Sequence, residues 1–531
     1  ESMVGVCGAT ADTVAARNLA RIICAGVSTQ IEEARRMTRV LIEAARGEGA
    51  CDIADEKELS GLAGLLGLPA AEGDRRAMAL AVGERLYATF GSQGENLPMM
   101  RAVPPRRRQV WDGLGVTPRS LDREVVELMH RTHMGVDQEF VNITKQTSRC
   151  ALVDGWGASR IIDRLDRVLC PPMGQPTDGG RLRADAVNIL VLTQTPLAMA
   201  ALRQACGDGE ITALLAKSRA ASINLVAGSI GNQEADLRSG LVEVLVAEGS
   251  CIIPATLSMA IAAHTRVVAG SPAQRMAGAE YLELSGARAR ENAKAVLKMA
   301  IAAFARRQTP SPFFTADVAR LPAKPVEGID KEALAQHIRQ GGIRGIALLI
   351  GCGNHRQRQD IHRLVVGRLL RENILVAGNG CAVEALLQGE NGQEGSLMAE
   401  AGDGLQAACK ELGVSPVLSM GACADSSRLL AVAGRLLDAG LGEDFPDLPL
   451  AVAAPAWIGE RIAATGQCLV ASGIDVFFGQ LPVTGSRRMA DYLQEGCRAE
   501  YGACWHIEQE PGGMAEKIVA FIEYKRQGMT A

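Results

Sequence analysis

The sequence predicts a multidomain α/β protein: an N-terminal helical domain followed by two Rossmann-like, doubly wound parallel-sheet domains. Three observations carry this. The first part of the chain has helical periodicity. Beyond residue 184, short aliphatic runs alternate with helical stretches, the pattern of parallel strands buried on both faces. Several of those runs stop at glycine beside a cysteine, as a buried strand does where it meets its loop.

Taken in order, residues 1–183 form the predicted helical domain. Thr13 to Ala45 is one long helix, and Leu121 to Thr132 is an amphipathic one with Ser120 as N-cap. Residues 184–325 form the first sheet domain. Its strands are Val187 to Leu192, Ile223 to Val226, Val242 to Val246 and Arg266 to Ala269, with a helix over Leu197 to Cys206. A proline-rich connector, Thr309 to Pro325, leads to the second sheet domain, residues 326–531. Its strands are Gly345 to Ile350, Ile374 to Ala377, Pro416 to Met420, Leu448 to Ala453 and Asp475 to Phe478.

At 531 residues the chain is too long for a single hydrophobic core. A formal charge of −4 with 47% hydrophobic residues gives no support for binding nucleic acid or membrane surfaces. No apolar run reaches the ~18–20 residues of a membrane span. The first residues lack signal-peptide character, so a cytoplasmic location is expected. There the 14 cysteines would be thiols or metal ligands rather than disulfides. No G-x-G-x-x-G joins a strand to a helix, which argues against a dinucleotide.

Cys352, Cys381 and Cys423 each follow an apolar run beside glycine. Ligands in open α/β sheets bind at the carboxyl ends of strands. Three strand ends offering thiolates to one crevice point to an iron–sulfur centre. Cys251, in Gly249-Ser250-Cys251-Ile252-Ile253-Pro254, is a weaker candidate by itself. The remaining cysteines read as small buried hydrophobes. His130 and His133 are predicted to share a helix face in a hydrogen-bonding role.

Four segments carry a resemblance: Gly5 to Thr13 (GVCGATADT), His130 to Gln138 (HRTHMGVDQ), Asp154 to Gly157 (DGWG) and Met420 to Arg428 (MGACADSSR). In sequence and order they resemble the anaerobic nickel–iron carbon monoxide dehydrogenases, relatives of the hybrid-cluster proteins. The resemblance implies a homodimer served by a ferredoxin-like carrier. It implies that Cys251, Cys352 and Cys381 hold cubane irons, that Cys423 binds nickel, and that Cys7 is the last ligand of an electron-relay cluster. The companions of Cys7 are expected in a cysteine-rich segment upstream.

The chain departs from that family at several ligand positions. Gln194, in Thr193-Gln194-Thr195-Pro196, stands where the family has a histidine, and Ser229 to Glu234 lacks the family's cysteine. The stretch Ala25 to Glu33 lacks the proton-relay histidines, and Arg461 replaces the catalytic lysine. Arginine stays protonated and passes no proton on. The substitutions fall on the pendant iron and the proton path, while the cubane thiolates remain. Glu234 and Gln194 are the substitute oxygen ligands by motif, and His355, three residues after Cys352, is a more remote replacement for the lost imidazole.

The leading expectation is a [4Fe–4S] or altered Fe–S or Fe–S–O cluster, with nickel doubtful, that reduces a small molecule such as hydroxylamine. Arg461 would hold the substrate oxygen. Two alternatives stay open: a working carbon monoxide dehydrogenase with substitute ligands, and a non-catalytic [4Fe–4S] electron-transfer or sensor protein.

Overall fold

A computed structural model describes residues 4–48, 51–69, 74–94, 96–169, 182–228, 233–249, 251–307, 329–353, 360–387, 394–483 and 485–530. His355, Cys170, the Thr309 to Pro325 connector and most of the Ser229 to Glu234 motif lie outside the described residues.

Helix α1 (Ala11–Arg46) organises the helical region. The Thr10 hydroxyl accepts from the Thr13 N–H at 3.2 Å to start it, and Gly47 at φ +77° ends it. Its alanine-rich, largely buried surface packs against Arg75–Phe90, Phe140–Val153 and Glu460–Ala471. Gly26 makes the last contact possible: a Cβ there would lie 2.6 Å from the Glu460 carbonyl oxygen. Leu121–Arg131 is capped by Ser120 as predicted. It ends before His133, so His130 and His133 do not share a helix face.

The first sheet is all parallel, in the order β2-β1-β3-β4-β5. Its strands are β1 (Ala186–Thr193), β2 (Ser222–Ala227), β3 (Val242–Glu248), β4 (Arg266–Ala269) and β5 (Glu280–Tyr281). The second sheet is also all parallel, in the order β11-β10-β9-β6-β7-β8. Its strands are β6 (Gly345–Leu349), β7 (Ile374–Gly378), β8 (Val417–Ser419), β9 (Leu450–Ala454), β10 (Val476–Phe478) and β11 (Trp505–Ile507). The short edge strands β5 and β11 were not predicted, because Glu280–Tyr281 and Trp505–Ile507 carry no aliphatic run.

Strand order reverses between β1 and β3 in the first sheet and between β6 and β9 in the second. Such switch points open a crevice at the strands' carboxyl ends. The cores are distributed unequally. The helical region and the second sheet share one continuous hydrophobic core, whereas the first sheet has its own on each face. Buried polar links tie the joined regions further. Trp111 donates to the Ala471 carbonyl at 2.7 Å, Trp156 donates to Ser472 at 2.9 Å, and Arg107 is paired with Asp444. Among the described residues, no helix is long and apolar enough to cross a membrane.

Candidate active site

The second sheet delivers three cysteines to one crevice. Cys352 follows β6 at the switch point, and its N–H donates to the Ala456 carbonyl at 3.0 Å in the loop after β9. Cys381 opens the helix after β7, and Cys423 lies in the loop after β8. Gly380 brings the last two together. It sits at φ +67°, its N–H donates to Gly421 at 2.8 Å, and a Cβ on it would fall 2.1 Å from the Cys423 sulfur.

The sulfurs differ in electrostatic surroundings. A hydrogen bond from Cys381, the field of Arg461 and backbone N–H groups bring the Cys423 thiol down to about 6, against its burial. Burial, then the Cys423 charge, pushes Cys352 up to about 11. Cys251 approaches from the first sheet, three residues past β3. Desolvation and Cys423 raise its thiol, while Arg461 opposes them. It is exposed, unlike the buried Cys352. Among the described residues, no three of these sulfurs lie within 4.8 Å of one another. The set therefore does not suit a single ion. Four thiolates spread around a crevice suit a polynuclear iron–sulfur group.

Arg461 and Gln194 meet directly. Arg461, at the start of Glu460–Ala471, donates through Nη1 to Gln194 Oε1 at 2.8 Å. Its Nη2 and Nε donate to the Thr29 hydroxyl at 2.9 and 3.1 Å. The guanidinium thus joins α1, the β1 loop and the β9 loop beside Cys423. The Gln194 loop is anchored from beneath. Arg36 pairs with the buried Glu33 and Glu248 and donates to Thr195 at 3.0 Å. Glu248 Oε2 accepts from Thr193 at 2.8 Å and from the Ala198 N–H at 3.2 Å. A bridge between Thr193 and Gly249 ties this loop to the one bearing Cys251.

Glu234 stands apart from this group. It lies on helix Gln233–Arg238 and pairs with Arg238 at 2.8 Å, with both side chains well exposed. Cys7 is exposed in the N-terminal turn before α1.

Four residues of the site escaped sequence reasoning. His362 Nε2 donates to the Cys352 carbonyl at 3.0 Å, and its Nδ1 has no partner among the described residues. Thr29 and Gln30 occupy the stretch where relay histidines were sought. The fully buried Gln30 donates to the carbonyls of Cys423 and Ala424 at 3.4 and 3.2 Å. Asp154, within the DGWG motif, accepts from Ser426 and Thr465, both at 3.0 Å. Burial raises its carboxyl to about 6 despite those bonds and the field of Arg461. Asp154, Thr29 and Gln30 sat in segments already singled out, though not as site residues, and His362 did not.

The comparisons agree with this geometry. The model of the Prismane/CO dehydrogenase family matches residues 1–512. Carbon monoxide dehydrogenase 1 of Methanosarcina acetivorans is 32% identical over 566 residues, covering 99% of this chain and 88% of that protein. Carbon monoxide dehydrogenase 2 of Carboxydothermus hydrogenoformans is 29% identical over 576 residues, covering 100% and 90%. The as-isolated, Ni-free crystal structure of carbon monoxide dehydrogenase from Thermococcus sp. AM4 superposes with a TM-score of 0.92 at 32% identity, over 100% of this chain and 88% of that one. With cysteines converging from both switch points and a match along nearly its whole length, this chain belongs to the Prismane/CO dehydrogenase family of iron–sulfur oxidoreductases.

Proposed function

We propose that the crevice holds an altered Fe–S or Fe–S–O cluster that reduces a small oxygen-bearing molecule, hydroxylamine being the first to test, and that it is poor at CO/CO2 interconversion. One observation carries this reading: the Gln194–Arg461 hydrogen bond. A neutral amide and a permanently charged guanidinium occupy the positions where the resemblance calls for a metal-binding imidazole and a proton-passing lysine. Gln194 is a hard oxygen donor, unlike the thiolates opposite, and such donors favour an oxygen-containing iron cluster.

When bound, the cluster would supply electrons and Lewis acidity toward a substrate oxygen. Cys251, Cys352, Cys381 and Cys423 would hold it. Arg461, held by Thr29 and Gln194, would orient an oxygen atom at the mouth of the crevice. His362 would fix the backbone of Cys352. Asp154, whose carboxyl burial raises to about 6, is the buried acid that feels Arg461 and would exchange protons with the crevice. Hydroxylamine reduction takes up two electrons and two protons and releases ammonia and water. We assign the electrons to a ferredoxin-like carrier, the assembly to a homodimer and the location to the cytoplasm.

The test is nickel and iron per subunit on anaerobically purified protein, with CO-oxidation and hydroxylamine-reduction assays on the same sample. Iron without stoichiometric nickel, hydroxylamine turnover and no CO oxidation are expected. Stoichiometric nickel with CO oxidation would overturn the proposal. So would iron with no turnover of either substrate.

A further inference from the structure

At the edge of the second sheet, away from the cysteine crevice, three ligand atoms of different kinds converge. Asp475 immediately precedes β10, while Cys504 immediately precedes the edge strand β11 and His506 is its middle residue. Cys504 and His506 are two apart, so the strand's alternation turns both to one face. Parallel pairing of Val476 with Trp505 brings Asp475 alongside them. The His506 ring is fixed by stacking on Phe477, centroids 4.2 Å apart and planes 6° from parallel.

We propose that Asp475, Cys504 and His506 form a second metal site, for a thiophilic divalent ion of which zinc is the type, with its fourth position open to solvent. The Cys504 sulfur lies 3.6 Å from both Asp475 Oδ1 and His506 Nε2. In a tetrahedral zinc site, ordinary Zn–S, Zn–N and Zn–O lengths put those atoms about 3.5 Å apart. The third edge, His506 Nε2 to Asp475 Oδ1, is 2.8 Å and has to open to about 3.3 Å. Thiolate, imidazole and carboxylate are a ligand set that zinc accepts, and two negative ligands with one neutral one balance its charge. Among the described residues this is the only group of three or more such side chains whose ligand atoms lie within 4.8 Å of one another.

A cation already occupies the point of convergence. Arg498 Nη2 lies 2.8 Å from Asp475 Oδ1, 2.8 Å from the Cys504 sulfur and 3.2 Å from His506 Nε2. A carboxylate oxygen and a sulfur that both accept from one positive nitrogen, with the imidazole beside them, make a site suited to positive charge. The Arg498 side chain is 44% exposed and can swing into solvent, whereas Asp475 and Cys504 are almost completely buried and cannot. Arg498 therefore acts as the competing cation, which the metal displaces.

This predicts an unusual mutational pattern. The iron-loaded protein is treated with EDTA, titrated with zinc chloride and freed of excess metal. Zinc per subunit is then counted, and its ligands are read by X-ray absorption at the zinc edge. Wild type should hold one zinc with a single sulfur ligand. Cys504→Ser and His506→Ala should each weaken zinc binding about tenfold or more. Arg498→Ala should tighten it. Iron content should be unchanged throughout, since none of these residues lines the crevice. Zinc uptake no greater than in Cys504→Ser, a zinc edge without sulfur, or weaker binding in Arg498→Ala would each overturn the proposal. The arginine would then be a simple ion-pair clamp.

Discussion

The two sheets meet at one crevice but contribute to it differently. The second sheet brings Cys352, Cys381 and Cys423 from strands sunk in a core continuous with the helical region. The first sheet brings Gln194 and the exposed Cys251 from loops over a separate core. Its hold on the rest of the site is polar: the buried Arg36 between Glu33 and Glu248, and the single Arg461 hydrogen bond to Gln194. Three of the four candidate thiolate ligands thus stand on the side with the continuous core. Of the positions that depart from the carbon monoxide dehydrogenase pattern, Gln194 stands on the side joined by hydrogen bonds, where exchange disturbs less packing, whereas Arg461 and the Ala25 to Glu33 stretch stand on helices of the continuous core.

Iron content gives the largest contrast. Cys352→Ala, Cys381→Ala or Cys423→Ala should strip iron and lower turnover at least about 100-fold. Cys251→Ala should keep part of the iron on the three remaining thiolates. Equal losses from both sheets, read by metal analysis, would break the comparison.

The polar joint comes next. Glu248→Ala leaves Arg36 buried with only Glu33, and should cost roughly 3–5 kcal/mol, seen as a lowered thermal transition. The cysteine side would retain its core, so circular dichroism should show the loss beginning in part of the molecule.

Asp154 probes the side with the continuous core. Its carboxyl is raised from the ordinary 3.8 to about 6, chiefly by burial. Between those values the folded protein holds a proton that the unfolded chain has released, so stability falls as pH rises through the window. The contribution is roughly 2–3 kcal/mol. Asp154→Asn should flatten that fall, read from unfolding at pH 4 and pH 7 beside wild type.

Glu234→Gln should have the smallest effect. Its exposed pair with Arg238 is worth about 0–1 kcal/mol, and iron content should not change. Loss of iron in this variant would give Glu234 a ligand role and move the first sheet's contribution closer to that of the second.

Much of the scaffold was legible from residue pattern. Buried parallel strands read as aliphatic runs, so most of the strands of both sheets and the strand-end cysteines could be found without coordinates. The edge strands β5 and β11 lack an aliphatic run, and β11 carries one of the three proposed zinc ligands and directly follows another. His362 lies ten residues from Cys352 with no repeating pattern between them. Thr29 and Gln30 were noticed only as missing histidines, because the hydrogen bonds that define them reach more than 390 residues along the chain.

The sequence by itself determined the α/β class, the order of the elements and the candidate cysteines, because periodicity and residue chemistry are local. Only the tertiary structure decided which donors face one another, that Arg461 meets Gln194 and Thr29, and that the Cys423 thiol is lowered by its neighbours while burial raises that of Cys352. Those outcomes depend on strand order, burial and charges brought together across the fold.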